Sequence, residues 1–200
     1  MIAVVRSELY RLSTTRSSAM SMAVVSALGI TLGTVSADFW ALIAGAGAFG
    51  FGAIGVTQHF QHRTAVLLYL TRQRRIPVLL AQLVTAVIVS LGFTAVSGAS
   101  VLARGYHEEY LTTLVVAPIM AVLGAAGGAI ARSATVLFVG FTAWIVFVEA
   151  AYGRMQEPFP FSTYLDAATG DLGKLPIFLG WTLAAVVGAL FAVRRDLTGD

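Results

Sequence analysis

The chain has 200 residues, 58% of them hydrophobic and only 12% charged, with a mean hydropathy of +0.83 and a formal net charge of +3. Soluble domains carry about 25% charged residues, so this composition excludes an ordinary soluble domain, and so small a positive balance is no argument for nucleic acid. There is no cysteine, which rules out disulfides and thiolate metal sites.

The basic residues sit almost entirely at breaks between uncharged runs. A hydrocarbon core about 30 Å thick is crossed by about 20 apolar residues of helix. Runs of that order predict six α-helical transmembrane spans at about 19–37, 40–58, 76–103, 110–131, 133–151 and 175–193. The fold class expected is therefore an all-α, polytopic membrane protein, with residues 19–200 forming one six-span membrane domain.

Residues 1–18 precede the first span. Ile2, Val5, Leu9 and Leu12 recur at helical spacing, with Arg6, Glu8, Arg11 and Arg16 mostly on other faces. This pattern predicts an N-terminal amphipathic helix lying in the membrane interface. A mixed-charge lead of this kind, followed at once by further spans, is not the pattern of a signal peptide.

The second span carries Ala41, Gly45, Ala48, Gly52 and Gly55 in one stripe, which lets a neighbouring helix approach closely. The same stretch matches GxGxxG twice, but inside an uncharged span with no preceding strand a dinucleotide site is excluded. The next connection is polar and basic, with a short apolar centre at 65–70. It reads as a basic cytoplasmic loop, either solvated with arginines that anchor it at the membrane or forming a short helix that docks into a partner protein. The fourth span contains Gly124 and Gly128, a second close-packing signal, and Pro118, which predicts a kink. Ala131, Arg132 and Ser133 form a tight turn that makes the fourth and fifth spans an antiparallel hairpin. Residues 153–173 form the longest connection on the other side, with a short helix expected over 164–168 and aromatic side chains suited to the interface.

Orientation follows from Lys and Arg in the connections. One set holds Arg6, Arg11, Arg16, Arg63, Arg72, Arg74, Arg75, Arg132, Arg194 and Arg195; the other holds Arg104, Arg154 and Lys174. Both termini are expected in the cytoplasm.

Little in the chain points to chemistry. His59, His62 and His107 have no metal-ligand spacing, and none is placed to activate a serine within a span. No phosphate-binding loop is present, so no catalytic, cofactor-binding or metal residues are assigned. Glu149 is the one ionisable residue that follows directly on the interior of a span, and carboxylates so placed are functional candidates. About 25 Å along its helix from Ser133, it is expected near the outer boundary, in reach of water or of Arg154, as a candidate outer gate or pore residue.

Several segments, in order, resemble one family. SELYRLSTTRS (7–17) resembles the entrance helix of type-2 ATP-binding cassette exporter permeases, and HFQHRTAVLLYLTRQRRIPVLLAQL (59–83) is similar to that family's loop before the third span. ARSATVLFVGFTAWIVFVE (131–149), FPFSTYLDAATG (159–170) and RRDLTGD (194–200) resemble its fifth span, outer re-entrant segment and ending. The family usually has Glu where His59 stands and often Pro where Arg72 stands. The resemblance implies a permease that works as a pair, identical or paralogous, in the cell membrane of a bacterium. It implies a separate ATP-binding cassette subunit that binds ATP and magnesium. His62, Arg63, Thr64, Leu67, Leu68, Arg72, Arg74 and Arg75 would form the coupling loop to that ATPase. With few charges on any span, the expected substrate is amphipathic or hydrophobic: a drug, lipid or peptide. A secondary transporter or channel, or a membrane anchor for a signalling partner, stands as the alternative.

Overall fold

The computed structural model describes residues 2–61, 75–155 and 157–194, and within them every regular element is helical. Helix α1 (Ile2–Thr14) ends where Thr14 and Thr15 turn their hydroxyls back onto the carbonyls of Tyr10 and Arg11, at 2.8 and 2.7 Å. Helix α2 (Arg16–Gly33) follows at once, and a short turn leads into α3 (Ala37–Gln61). Ser36 caps α3 by accepting from the Asp38 N–H at 3.1 Å, as short hydroxyl side chains do at helix starts. Next come α4 (Arg75–Ser97), α5 (Ala99–Ala103) and α6 (His107–Ala131). Helix α7 (Ala134–Ala143) runs on into a π-helical segment over Trp144–Tyr152, and then come α8 (Pro160–Ala168), a 3₁₀ turn and α9 (Leu175–Arg194).

Among the described residues, five helical stretches are long and apolar enough to cross a membrane: Ala37–Gln58, Ile76–Ser97, His107–Ala131, Ala134–Tyr152 and Leu172–Arg194. Helix α2, the first span expected from the sequence, is outside that set: it has 18 residues, opens on Arg16 and carries several serines. The run expected as one span over 76–103 is divided at Gly98. A Cβ there would collide with the rings of Trp40 and Tyr110, which stack with centroids 5.7 Å apart. Buried Trp40 donates its indole N–H to Ser97 Oγ at 3.1 Å, fixing the point where α4 stops.

Helices α3 and α6 form the centre, with α4 against both, α2 against α3 and α4, and α9 against α6. Small residues make the central contact close. A Cβ on Gly52 would strike the Ala121 carbonyl, one on Gly124 would strike the Phe49 carbonyl, and one on Gly128 would lie 3.0 Å from the Ala53 carbonyl oxygen. The stripe on α3 serves more than one neighbour, since Gly45 faces Tyr164 of α8 and Gly55 faces open space. Helix α6 continues through buried Pro118. The α7 segment is peripheral and leaves Val136, Val139, Phe147 and Tyr152 exposed, a surface that a bilayer or a second subunit would cover.

The hairpin between α6 and α7 turns on Arg132, whose φ of 56° is left-handed, and whose N–H bonds to the Gly128 carbonyl at 2.9 Å. A non-glycine residue pays about 1–2 kcal/mol for that conformation. Its guanidinium offsets part of this by donating to the Ala192 carbonyl at 3.2 Å, in the last turn of α9.

The central packing generates a prediction. Gly52→Ala and Gly124→Ala should each destabilise the protein by about 1–3 kcal/mol, the usual range for overpacking. Gly180→Ala, whose new methyl would meet nothing within 4 Å, should not. Thermal unfolding midpoints of the three variants in one detergent check this.

Candidate functional site

The outer connection builds its own polar site in an apolar setting. Helix α8 opens with Pro160 at its first position, and Phe159 in the cap position has no side-chain acceptor. The first amides of a helix have no partner within it, so the N–H groups of Phe161 and Ser162 need an oxygen from elsewhere. Glu149 supplies both. Its Oε1 accepts from the Phe161 N–H at 3.1 Å and its Oε2 from the Ser162 N–H at 2.7 Å. Oε2 also accepts the Ser162 hydroxyl at 2.6 Å, and Oε1 the Trp144 indole N–H at 3.0 Å. Four donors thus converge on one carboxyl group that is 0% exposed. The positive end of the α8 dipole adds to the attraction.

Local backbone geometry makes this possible. In an α-helix five residues advance about 500°, which leaves the two side chains about 140° apart. The wider π turn, closed between residues five apart, brings Trp144 and Glu149 to one side. The Trp144 ring also meets the Phe159 ring edge-on at 5.8 Å, so it braces both the carboxylate and the residue before α8.

The other end of α8 is capped as well. The Thr112 and Thr113 hydroxyls of α6 donate to the Ala168 carbonyl at 2.9 and 3.2 Å. In the middle, Tyr164 is completely buried and donates its hydroxyl to the Ala41 carbonyl of α3 at 2.8 Å. Burial raises the pKa of this phenol above its ordinary value, so it stays a donor. The absence of a side chain on Gly45 makes room for the ring. Trp181 of α9 donates to the Pro158 carbonyl at 2.9 Å and holds the segment leading into α8.

Glu149 was expected in reach of water or Arg154; its partners are instead the uncharged groups of α8 and Trp144. The coupling-loop residues His62, Arg63, Thr64, Leu67, Leu68, Arg72 and Arg74 lie outside the described residues, and Arg75 opens α4. Among the described residues, no three His, Asp or Glu side chains converge as a metal site. Trp144, Ser162 and the threonine pair were not singled out by the sequence. Their signal was an α8 start with Pro160 in first position and no capping side chain before it, which requires an acceptor from another element.

Comparison with protein-family models and with curated proteins gives no match to this chain.

The geometry predicts the effect of Glu149→Gln. The amide keeps the shape but turns an NH₂ toward two of the donors, leaving buried N–H groups unmet at about 1–3 kcal/mol. Thermal stability in detergent should fall accordingly, and Ser162→Ala, which removes one donor without stranding another, should cost less. Equal stabilities for Glu149→Gln and the unaltered protein would contradict the capping role.

Proposed function

We propose that this chain is the transmembrane permease subunit of an ATP-binding cassette exporter. In this reading it has six spans, with α2 as the first, α1 lies in the cytoplasmic interface, and both termini are cytoplasmic. A second permease copy or a paralogue completes the pore, and a separate ATPase subunit docks beneath it. The substrate is amphipathic or hydrophobic, and the membrane is the cell membrane.

The observation that supports the reading is the order of elements. A separate N-terminal helix, packed against α4, precedes a bundle of apolar helices, and a short helix tied to the fifth span lies before the last one. This is the layout implied by the family that segments 7–17, 59–83 and 159–170 resemble. Helix α8 is held by α3, α6 and α9 and by Glu149. In an exporter it is the outer closure of the pathway, and Glu149 positions it. A secondary transporter needs an ionisable group free to exchange ions in its coupling path. Glu149 is committed to four donors, which disfavours it for that task.

Energy must then reach the spans through protein contact. The apolar centre of the loop between α3 and α4 would seat in the ATPase, with Arg63, Arg72, Arg74 and Arg75 at the rim. Buried apolar anchors hold such contacts, whereas rim charges tune association. Leu67→Asp or Leu68→Asp should abolish co-purification with a Walker-motif ATPase or uncouple hydrolysis from transport. Arg74→Ala should do less, with a salt-dependent effect. Pull-down of the tagged chain from its native membranes, with ATPase assay of the eluate, tests this. Recovery of no ATPase by the unaltered chain, or normal assembly and transport by both aspartate variants, would overturn the proposal.

A further inference from the structure

A cavity of 170 Å³ lies between α2, α3 and α4, well above the about 10–15 Å³ that one water needs. Its walls include Ser17, Ser21, Thr85, Gln58 and Gln82, and among the described residues its lining holds no charged side chain. Gln82 is only 8% exposed, and among the described residues no side chain or backbone group hydrogen-bonds its carboxamide. Its polar atoms are not among the fully buried ones, so they face the chamber and are free to meet a ligand with uncharged hydrogen-bonding groups.

The chamber does not stand alone. Met22 belongs to its wall and also to the wall of an apolar groove that runs between α2 and α4 as far as Ile30 and Val96. The groove exists because Ala19, Ala23 and Ala27 recur every four residues along one side of α2, opposite Gly92. From Ser17 to Ile30 the distance along α2 is about 20 Å at the usual helical rise. That is the depth of one leaflet with its headgroup region, half of about 40–45 Å.

We infer that this chamber and groove form a binding site for one membrane glycerolipid, with the uncharged glycerol-ester region in the chamber and an acyl chain in the groove. The ester carbonyls accept from the Gln82 carboxamide and the serine hydroxyls of α2, and the chain lies on the alanines of α2. The site goes beyond the permease reading and does not depend on it.

Two glycines allow a test with little risk to the fold. Side chains added at Gly55, in the chamber, and at Gly92, in the groove, would start in open space, as one would at remote Gly180. Leucine also suits a helix better than glycine. The protein is reconstituted in phosphatidylcholine vesicles containing a phosphatidylcholine with a diazirine at mid-chain, irradiated, and its adducts are mapped by peptide mass spectrometry. Adducts should concentrate on the facing sides of α2 and α4. Gly55→Leu and Gly92→Leu should each lower them about tenfold, equivalent to about 1.4 kcal/mol. Adducts on the exposed α9 face at Leu183 and Val187 should be unchanged, and Gly180→Leu should label as the unaltered protein does. Gel filtration of each variant verifies the fold, and the two positions report independently. Adducts no denser on α2 and α4 than on α9, or undiminished in a folded Gly55→Leu or Gly92→Leu variant, would overturn the site. So would disulfide-linked dimers of Ala23→Cys, a unique cysteine in this chain, because they would assign the groove to a second copy.

Discussion

Where a helix ends in an apolar surrounding, its terminal amides and carbonyls must find partners, because no water is there to meet them. In this protein several helix ends are met by groups from elsewhere in the fold, and the arrangement of the bundle follows from those contacts. Arg104 reaches the carbonyls of Gly33 and Thr34 at the end of α2, at 3.3 and 2.7 Å. Ser100 donates to the Ile30 carbonyl one turn earlier, at 2.7 Å. Arg132 does the same for α9. Glu149 meets the open amides of α8, and two threonines of α6 meet its last turn. Each contact satisfies a backbone group and also fixes one helix against another.

Helix α8 shows the consequence most clearly. Nine residues alone are too short to hold a helix in water, and this one is stable only as part of the bundle. Capped at both ends, and pinned at Tyr164 to Ala41 near the start of α3, it cannot move without stranding several buried donors. Its motion is therefore coupled to that of the π segment carrying Glu149 and to α6. The central pair, closed by Gly52, Gly124 and Gly128, forms the rigid part against which such a motion would be referred. Helix α2, by contrast, leaves space along its alanine side, where the fold holds a chamber instead of a packed seam.

Much of the helical layout was legible in the sequence. Charge-free runs marked five stretches that fold as long apolar helices, the Arg132 turn marked a hairpin, and Gly124 and Gly128 marked a close contact. Three features were not legible, each for a physical reason. The break at Gly98 lies in an uncharged run and is set by Trp40 and Tyr110, which are distant in sequence. The role of Glu149 depends on groups 12 and 13 residues further on and on a π turn, which helical periodicity does not reveal. Gln82 and Thr85 sit in a span that hydropathy reads as uniformly apolar, so their convergence with Gln58 and the α2 serines appears only when three helices are assembled.

The central claim is that the Glu149 carboxylate holds the start of α8 by occupying its open amides. Hydrogen exchange at the Phe161 and Ser162 amides in lipid vesicles measures this directly, since each amide reports its own protection. The account predicts slow exchange at both positions in the unaltered protein. In Glu149→Gln it predicts about tenfold or greater acceleration at these two, with the amides of α3 and α6 unchanged. Fast exchange at Phe161 and Ser162 in the unaltered protein, or rates indifferent to the substitution, would contradict it.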